Sequence, residues 1–219
     1  MNYYNDSCIE NITSFLDIHQ IFPFLLQYDF HLPIKLTHIP NIFKHQITDE
    51  ILQRHMFRQL THLDASFNNK ITDRGILALP HLQELDCSYN PNITGLSVGN
   101  LSCLTCLIAI ENCHIQDQDL IHLPLQKLKI AINQQYTGSC LPHLKNLQEL
   151  WMYNTSIEGK YLSSLKKLHT LNISHTTQVS LENIQDLNLK ICIANDCHLT
   201  SDNKLKNGLS IINCISCKE

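Results

Sequence analysis

The stretch Leu104 to Asn112, LTCLIAIEN, sets the frame for the whole chain. It reads as Leu, two residues, Leu, one residue, an apolar residue, two residues, Asn, with Ile115 three positions further on. The same skeleton recurs in both directions from first positions Leu36, Leu60, Leu82, Leu104, Leu125, Leu147, Leu168, Asn188 and Lys206, at spacings that fall from 24 to 18 and are mostly 21 or 22. A fixed period of this length marks stacked units, none of which buries its apolar side alone.

The columns of this frame predict the local structure. The fourth position is apolar throughout, as Ile39, Leu63, Leu85, Leu107, Leu128, Leu150, Leu171, Ile191 and Leu209. The sixth position, Ala65, Cys87, Ala109, Ile130, Met152, Ile173, Ile193 and Ile211, alternates with polar neighbours, as in a strand with one buried face. One short strand per unit is therefore expected, all parallel, around a continuous core. The ninth position holds Asn68, Asn90, Asn112 and Asn133, then Thr155, Thr176, Asp196 and Cys214. After the strand the chain turns inward, where an Asn amide can satisfy backbone groups that would otherwise be buried unpaired. Ile71, Ile93, Ile115, Val179 and Leu199 are expected to point inside behind it. Ile76, Leu79, Val98, Leu101, Leu141, Leu144, Leu162 and Leu165 should close the other side.

Composition narrows the function classes. A chain of 219 residues with 43% hydrophobic and 16% charged residues has enough apolar matter for an extended core. Its 20 acids against 16 bases give a net charge of −4, and no basic run offers the surface that nucleic-acid binding needs. The start MNYYNDSCIENITSFLD lacks the pattern of a secretory leader, so the ten cysteines are expected to be reduced thiols of a cytoplasmic protein. No apolar run approaches the roughly 20 residues of a spanning helix.

The repeat resembles that of leucine-rich repeat proteins over about residues 36–217. KITDRGILALPHLQELDCSYNPNITG and QITDEIL resemble the cysteine-containing subclass of F-box-type ubiquitin-ligase receptors, which carries an Ile-Thr-Asp segment after the turn and a ninth-position cysteine, matched here at Cys214. The resemblance implies an α/β leucine-rich repeat solenoid of about eight to nine units over 36–219, with parallel strands on a concave face, short helices or irregular turns on the convex face, and a small helical amino-terminal cap over 1–35.

In that amino-terminal segment Ile9, Ile12, Phe15, Leu16, Ile21, Phe22, Leu25 and Leu26 fit two short amphipathic helices, with Pro23 in a first turn. One reading is a cap over the end of the core. The other follows the resemblance of ITSFLDIHQIFPFLLQ to the core of an F-box, in which Phe15, Leu16, Asp17, Ile21 and Leu25 would dock onto a Skp-type adaptor.

Adjacent cysteine and histidine occur twice, at Cys113-His114 and Cys197-His198, 84 residues (197 − 113) or four periods of 21 apart. Neighbours in a turn tend to point apart, so neither pair fits the roughly 3 Å contact of an activated thiol. Cys192, Cys197, Cys214 and Cys217 have spacings that can hold zinc. The frame instead puts Cys214 and Cys217 inside and Cys192 on the concave side. No metal, cofactor or catalytic residue is assigned.

Strand residues that are not buried line the concave face. They give an acidic patch, Asp64, Glu84 and Asp86, an apolar strip at Ile108 and Ile110, the lysines Lys127 and Lys129, then Tyr153 with the chain's one tryptophan, Trp151. An exposed Trp beside Tyr and lysine has the composition of an interface hot spot. The expected function is non-enzymatic binding of a protein partner through this face. The alternatives are an F-box-like receptor serving a cullin-type ligase and a zinc-binding or thiol-reactive protein.

Overall fold

The computed structural model describes residues 17–27, 36–197, 199 and 205–209. Seven strands form one parallel sheet in chain order: β1 (His62–Asp64), β2 (Glu84–Asp86), β3 (Cys106–Ile110), β4 (Lys127–Asn133), β5 (Glu149–Thr155), β6 (Thr170–Asn172) and β7 (Ile191–Ile193). Leu85 pairs with Leu63 on one side and Leu107 on the other, and Leu107 pairs with Leu128, so the fourth position forms one ladder. Leu82, Leu104, Leu125 and Leu147 behind it are fully buried. Each strand is entered the same way. The second-position carbonyl, for example that of Thr61, accepts from two successive N–H groups of the next coil, here Gln83 at 2.8 Å and Glu84 at 2.9 Å.

Two positions of the frame are corrected. The first coil, from Leu36, has no strand: Pro40 lacks an N–H and a 3₁₀ turn, Asn41–Gln46, begins after it. In the eighth coil the frame shifts by one residue. Ile191 pairs with Thr170 and Cys192 with Leu171, so Leu189, not Asn188, holds the first position. Cys192 and Ala194 therefore face the core, while Ile191 is 42% exposed. Alternation of Ile191 and Ile193 suggests the opposite phase. A one-residue slip exchanges the two faces of a strand, and burial of Leu189 decides between them.

The turn after each strand has a common geometry. The eighth residue takes a left-handed backbone in every coil that has a strand: Phe67, Tyr89, Glu111, Ile132, Asn154, His175 and Asp196, with φ between 48° and 57°. This turns the ninth residue inward. Asn90 Nδ2 reaches the carbonyls of Ala65 (3.2 Å), Asn68 (2.8 Å) and Ile71 (3.2 Å) of the preceding coil, while its Oδ1 accepts from Asn92 N at 3.0 Å. Asn112 repeats the pattern on Cys87, Asn90 and Ile93, and Asn133 on Asn112 and Ile115. The ladder then stops. The Thr155 hydroxyl is buried without a partner, and Thr176 Oγ1 donates at 2.6 Å to Ile173 of its own coil. Cys197, in the corrected ninth position, donates to Ala194 O at 3.2 Å.

On the opposite side four single-turn helices close the early coils: α2 (Asp49–Leu52), α3 (Asp73–Ile76), α4 (Gly95–Val98) and α5 (Asp117–Leu120), following α1 (Ile18–Gln27) at the amino-terminal end. The Ile-Thr-Asp segments have a structural role here. Thr72 caps α3, accepting from Arg74 N at 3.2 Å, while Asp49 of the coil before accepts from Thr72 N (2.8 Å) and Oγ1 (2.6 Å). Asp73 holds Thr94 in the same way, at 2.8 and 2.7 Å. Where the third such Asp would stand the chain has Gly95, because the Asp119 carboxylate fills the space a Cβ would need and accepts from Gln116 N at 2.8 Å. Later coils use 3₁₀ turns, Leu141–His143 and Gly159–Ser164, then α6 (Leu181–Ile184). The aliphatic residues expected to close this side are all buried. Tyr136, which the sequence reading passed over, fills the inner position of the fifth coil, fully buried, with its hydroxyl 2.9 Å from Cys140 Sγ.

Helix α1 lies over the first coil. Phe22 stacks on Phe43 at 4.9 Å and meets Phe57 edge-on at 6.3 Å, and Arg54 Nη1 donates to the Leu25 and Leu26 carbonyls at 2.9 Å each. Pro23 is inside this helix, not in its first turn.

Removing the Asn112 amide strands several buried carbonyls and an N–H, each worth about 1–3 kcal/mol when left unpaired. Asn112→Ala should therefore lower the free energy of unfolding by at least about 2 kcal/mol in a urea titration. Thr155→Val, which deletes an already unsatisfied hydroxyl, should leave it unchanged or raise it. Left-handed backbone costs a non-glycine residue about 1–2 kcal/mol. Ile132→Gly, at a β-branched and partly exposed position, should raise the midpoint of the same titration, whereas a fall would show that Ile132 packing outweighs its backbone strain.

Candidate protein-interaction surface

The open side of the sheet carries third-, fifth- and seventh-position side chains. Register places Glu84, Cys106, Lys127 and Glu149 side by side in one row, and Asp64, Asp86, Ile108, Lys129 and Trp151 in the next. Tyr153 pairs with Ala131 in the row beyond. Ile110 pairs with the same Ala131, so all nine residues singled out from the sequence lie on one face. Cys192, expected on this side, leaves it, and Ile191 and Ile193 take the face in the eighth coil.

The face divides into two kinds of strand. In the second, third and seventh coils the fifth position is Asp64, Asp86 or Asn172, and its Oδ1 accepts from the backbone N–H of Ser66, Ser88 or Ser174 at 2.9, 2.9 and 3.0 Å. This local bond competes with the sheet, and these strands have only three residues. Where the fifth and seventh positions are Ile108 and Ile110, Lys129 and Ala131, or Trp151 and Tyr153, strands run for five to seven residues. The longer strands display the broader apolar surface.

Asp64 is further committed, accepting from Ser66 Oγ at 2.6 Å and from Lys44 Nζ at 2.9 Å. Burial alone would raise its carboxyl pKa, but the Ser66 and Lys44 hydrogen bonds outweigh it and hold the group below the usual carboxylate range. His62 stacks on His38 at 4.0 Å, with Nε2 3.3 Å from Glu84 Oε1. In the middle of the face Lys127 pairs with Glu149 at 3.2 Å, and Lys129 Nζ lies 4.5 Å from the centre of the Trp151 ring. Tyr153 is 39% exposed and meets the His175 ring edge-on at 4.7 Å. The Trp151 indole N–H is buried with no acceptor. Along the rim Phe67 and Tyr89 stack at 4.3 Å, a pair the sequence reading missed although aromatic residues at the eighth position of consecutive coils signal it.

The adaptor-docking residues expected at the amino terminus are placed differently. Ile21 and Leu25 are buried in the common core, facing the solenoid and so not available as a docking row. Phe15 and Leu16 lie outside the described residues.

The cysteines also separate. Cys113 and His114 are both exposed, and His114 N donates to Asn112 Oδ1 at 3.1 Å, as the turn requires. Cys192 is buried in the core, a correction to its expected concave position, while His198, Cys214 and Cys217 lie outside the described residues. Burial pushes the Cys87 and Cys140 thiols far up and that of Cys192 to about 12. Cys106, on the open face, is raised by burial and then by neighbouring Glu84. Thiolate fraction and access govern alkylation. Iodoacetamide at pH 8 should therefore label Cys103 and Cys113 in the native protein, with Cys87, Cys140 and Cys192 reacting only after denaturation, as peptide mass spectrometry would read.

Residues 58–103 match the family described as Leucine Rich repeats (2 copies). No curated protein matches the chain. Among solved structures it is similar to internalin C2 from Listeria monocytogenes, at 24% identity and a TM-score of 0.52, with 66% of this chain and 74% of that one covered. Human 5T4 (Wnt-activated inhibitory factor 1, trophoblast glycoprotein) aligns at 17% identity and a TM-score of 0.50, covering 73% of each chain. TLR13, solved in complex with ssRNA13, aligns at 21% identity and a TM-score of 0.53, over 72% of this chain but only 24% of its own. The unbroken fourth-position ladder, the asparagine turns and these likenesses lead to one statement of kind: the chain has the fold of a leucine-rich repeat solenoid, with that family's repeats matched over residues 58–103.

Proposed function

We propose that the protein is a non-catalytic binding module that holds a protein partner on the open face of its sheet, centred on the fourth to sixth coils. The observation that carries this reading is the apolar and aromatic surface formed by Ile108, Ile110, Trp151 and Tyr153 on the three longest strands. Aromatic side chains held by a rigid ladder supply large contact area at little entropic cost, the composition of interface hot spots. Trp151 supports it further: an unsatisfied buried indole N–H lowers stability, and packing alone would be served by an apolar residue without one. The acidic residues contribute unequally, since Asp64 is occupied by Lys44 and Ser66 while Glu84 and Asp86 carry fewer internal bonds.

The test is capture on the immobilised protein, with bound polypeptides identified by mass spectrometry. Trp151→Ala combined with Tyr153→Ala should remove the specific partner, by at least about tenfold in affinity for a pair of hot-spot residues, while the urea midpoint stays close to that of the parent. Capture that survives both changes in a folded protein would move the site to another face.

A further inference from the structure

Beside the aromatic centre the same face sinks into a concavity of about 190 Å³. Ile39, Leu63 and Leu85 are among its lining residues, together with the carboxylates of Asp64, Glu84 and Asp86, and Ile108 stands at its border with the middle coils. Lys44 neutralises Asp64 and the Asp86 Oδ1 accepts from Ser88 N, which leaves Glu84, beside His62, and the second Asp86 oxygen as the negative side of the hollow. Two strands on, in the same row as Asp86, the Lys129 ammonium lies on the Trp151 ring and has no carboxylate within 4 Å among the described residues. From the second coil to the fifth the face is therefore negative at Glu84 and Asp86, apolar at Ile108 and positive at Lys129.

We propose that the occupant is an extended segment of a protein partner lying across the strands, with a Lys or Arg side chain in the concavity, an apolar side chain over Ile108 and an Asp or Glu at Lys129. The spacing follows from the ladder. Adjacent strands are about 4.8 Å apart, so Lys129 lies two strands, or roughly 10 Å, from Asp86, with Ile108 between them. In an extended peptide residues two apart share a side, so the first and fifth stand about 13 Å apart, and the Lys129 side chain, leaning toward Trp151, spans the remaining roughly 3 Å. The recognised pattern, read from the third coil toward the sixth, is basic, any, apolar, any, acidic. Charge of opposite sign at the two ends sets orientation and rejects the reversed charge order, the usual work of electrostatic complementarity. This inference rests on the reading of the face as an interface and adds the chemistry of what fills it.

The experiment is selection of a random peptide display library on the intact protein, followed by fluorescence-polarisation binding of the enriched peptides to variants. The expected result is enrichment of the basic-any-apolar-any-acidic pattern. Glu84→Gln and Asp86→Asn should each weaken such peptides about two- to fivefold, and Lys129→Gln similarly, as for ion pairs open to solvent. Exchanging the peptide's basic residue for Gln should lessen the effect of Asp86→Asn. Enriched peptides that depend on Trp151 but not on Glu84, Asp86 or Lys129 would overturn this proposal and leave the interface reading standing. Peptides indifferent to Trp151 as well, or no enrichment at all, would remove both. A dimer in sedimentation that Trp151→Ala dissociates would assign the face to a second copy and also overturn the proposal.

Discussion

The structure depends on satisfying the backbone where the chain turns inward after each strand. A coil can follow another at one strand spacing only if the carbonyls inside that turn find donors, because no solvent reaches them. Asn90, Asn112 and Asn133 meet the demand with one amide each, spanning several carbonyls of the coil before and accepting from an N–H of their own. The left-handed residue just before each of them is the geometric condition for this arrangement. None of the seven is glycine, so the turn is imposed by the bonds beyond it and not by backbone freedom.

The same competition between side chains and backbone shapes the exposed face. In β1, β2 and β6 an Asp or Asn at the fifth position captures the N–H two residues on and the strand has three residues, whereas Ile108, Lys129 and Trp151 stand in strands of five to seven; β7, the last strand described, is short with Ile193 there. In β1 to β6 strand length, and with it the width of apolar surface on display, thus follows the residue at one column. The aromatic centre coincides with the coils in which no such capture occurs, and the carboxylates that do the capturing form the neighbouring hollow. Position and charge of the candidate site both derive from this one choice.

Much of this was legible in the sequence. The fourth-position column, the inner aliphatic residues and the membership of the strand face follow from counting, because a period near 21 fixes which side chains share a side. The sequence reading failed where two phases were equally apolar. Around Ile191 and Ile193 alternation favoured the wrong face, and only the burial of Leu189 and Cys192 resolves it. The Ile-Thr-Asp segments looked like a family mark; in three dimensions Asp49 and Asp73 clamp Thr72 and Thr94 of the next coil, a contact between residues more than twenty positions apart that spacing alone does not reveal. The roles of Asp64 and Asp86 were likewise half visible, since their exposure could be counted but the serine two residues on was not weighed. At the amino terminus the sequence favoured a cap and offered an F-box-like docking surface beside it; Phe22 finds its neighbours in Phe43 and Phe57, and Ile21 and Leu25 are buried with it.

Side-chain bridges through the interior join the first five coils and then cease, with Thr155 unpaired and Thr176 turned to its own coil. Between the fifth and sixth coils the long pairing of β4 with β5 makes up for the loss, but β6 and β7 have three residues each and, among the described residues, no asparagine amide bridging behind them. In a stack where every unit holds only its neighbours, cohesion is the sum of its joints. The joints here are graded, so disassembly under heat or tension starts from the carboxyl-terminal windings and runs back toward β5, while the aromatic centre stands on the last firmly seated layer.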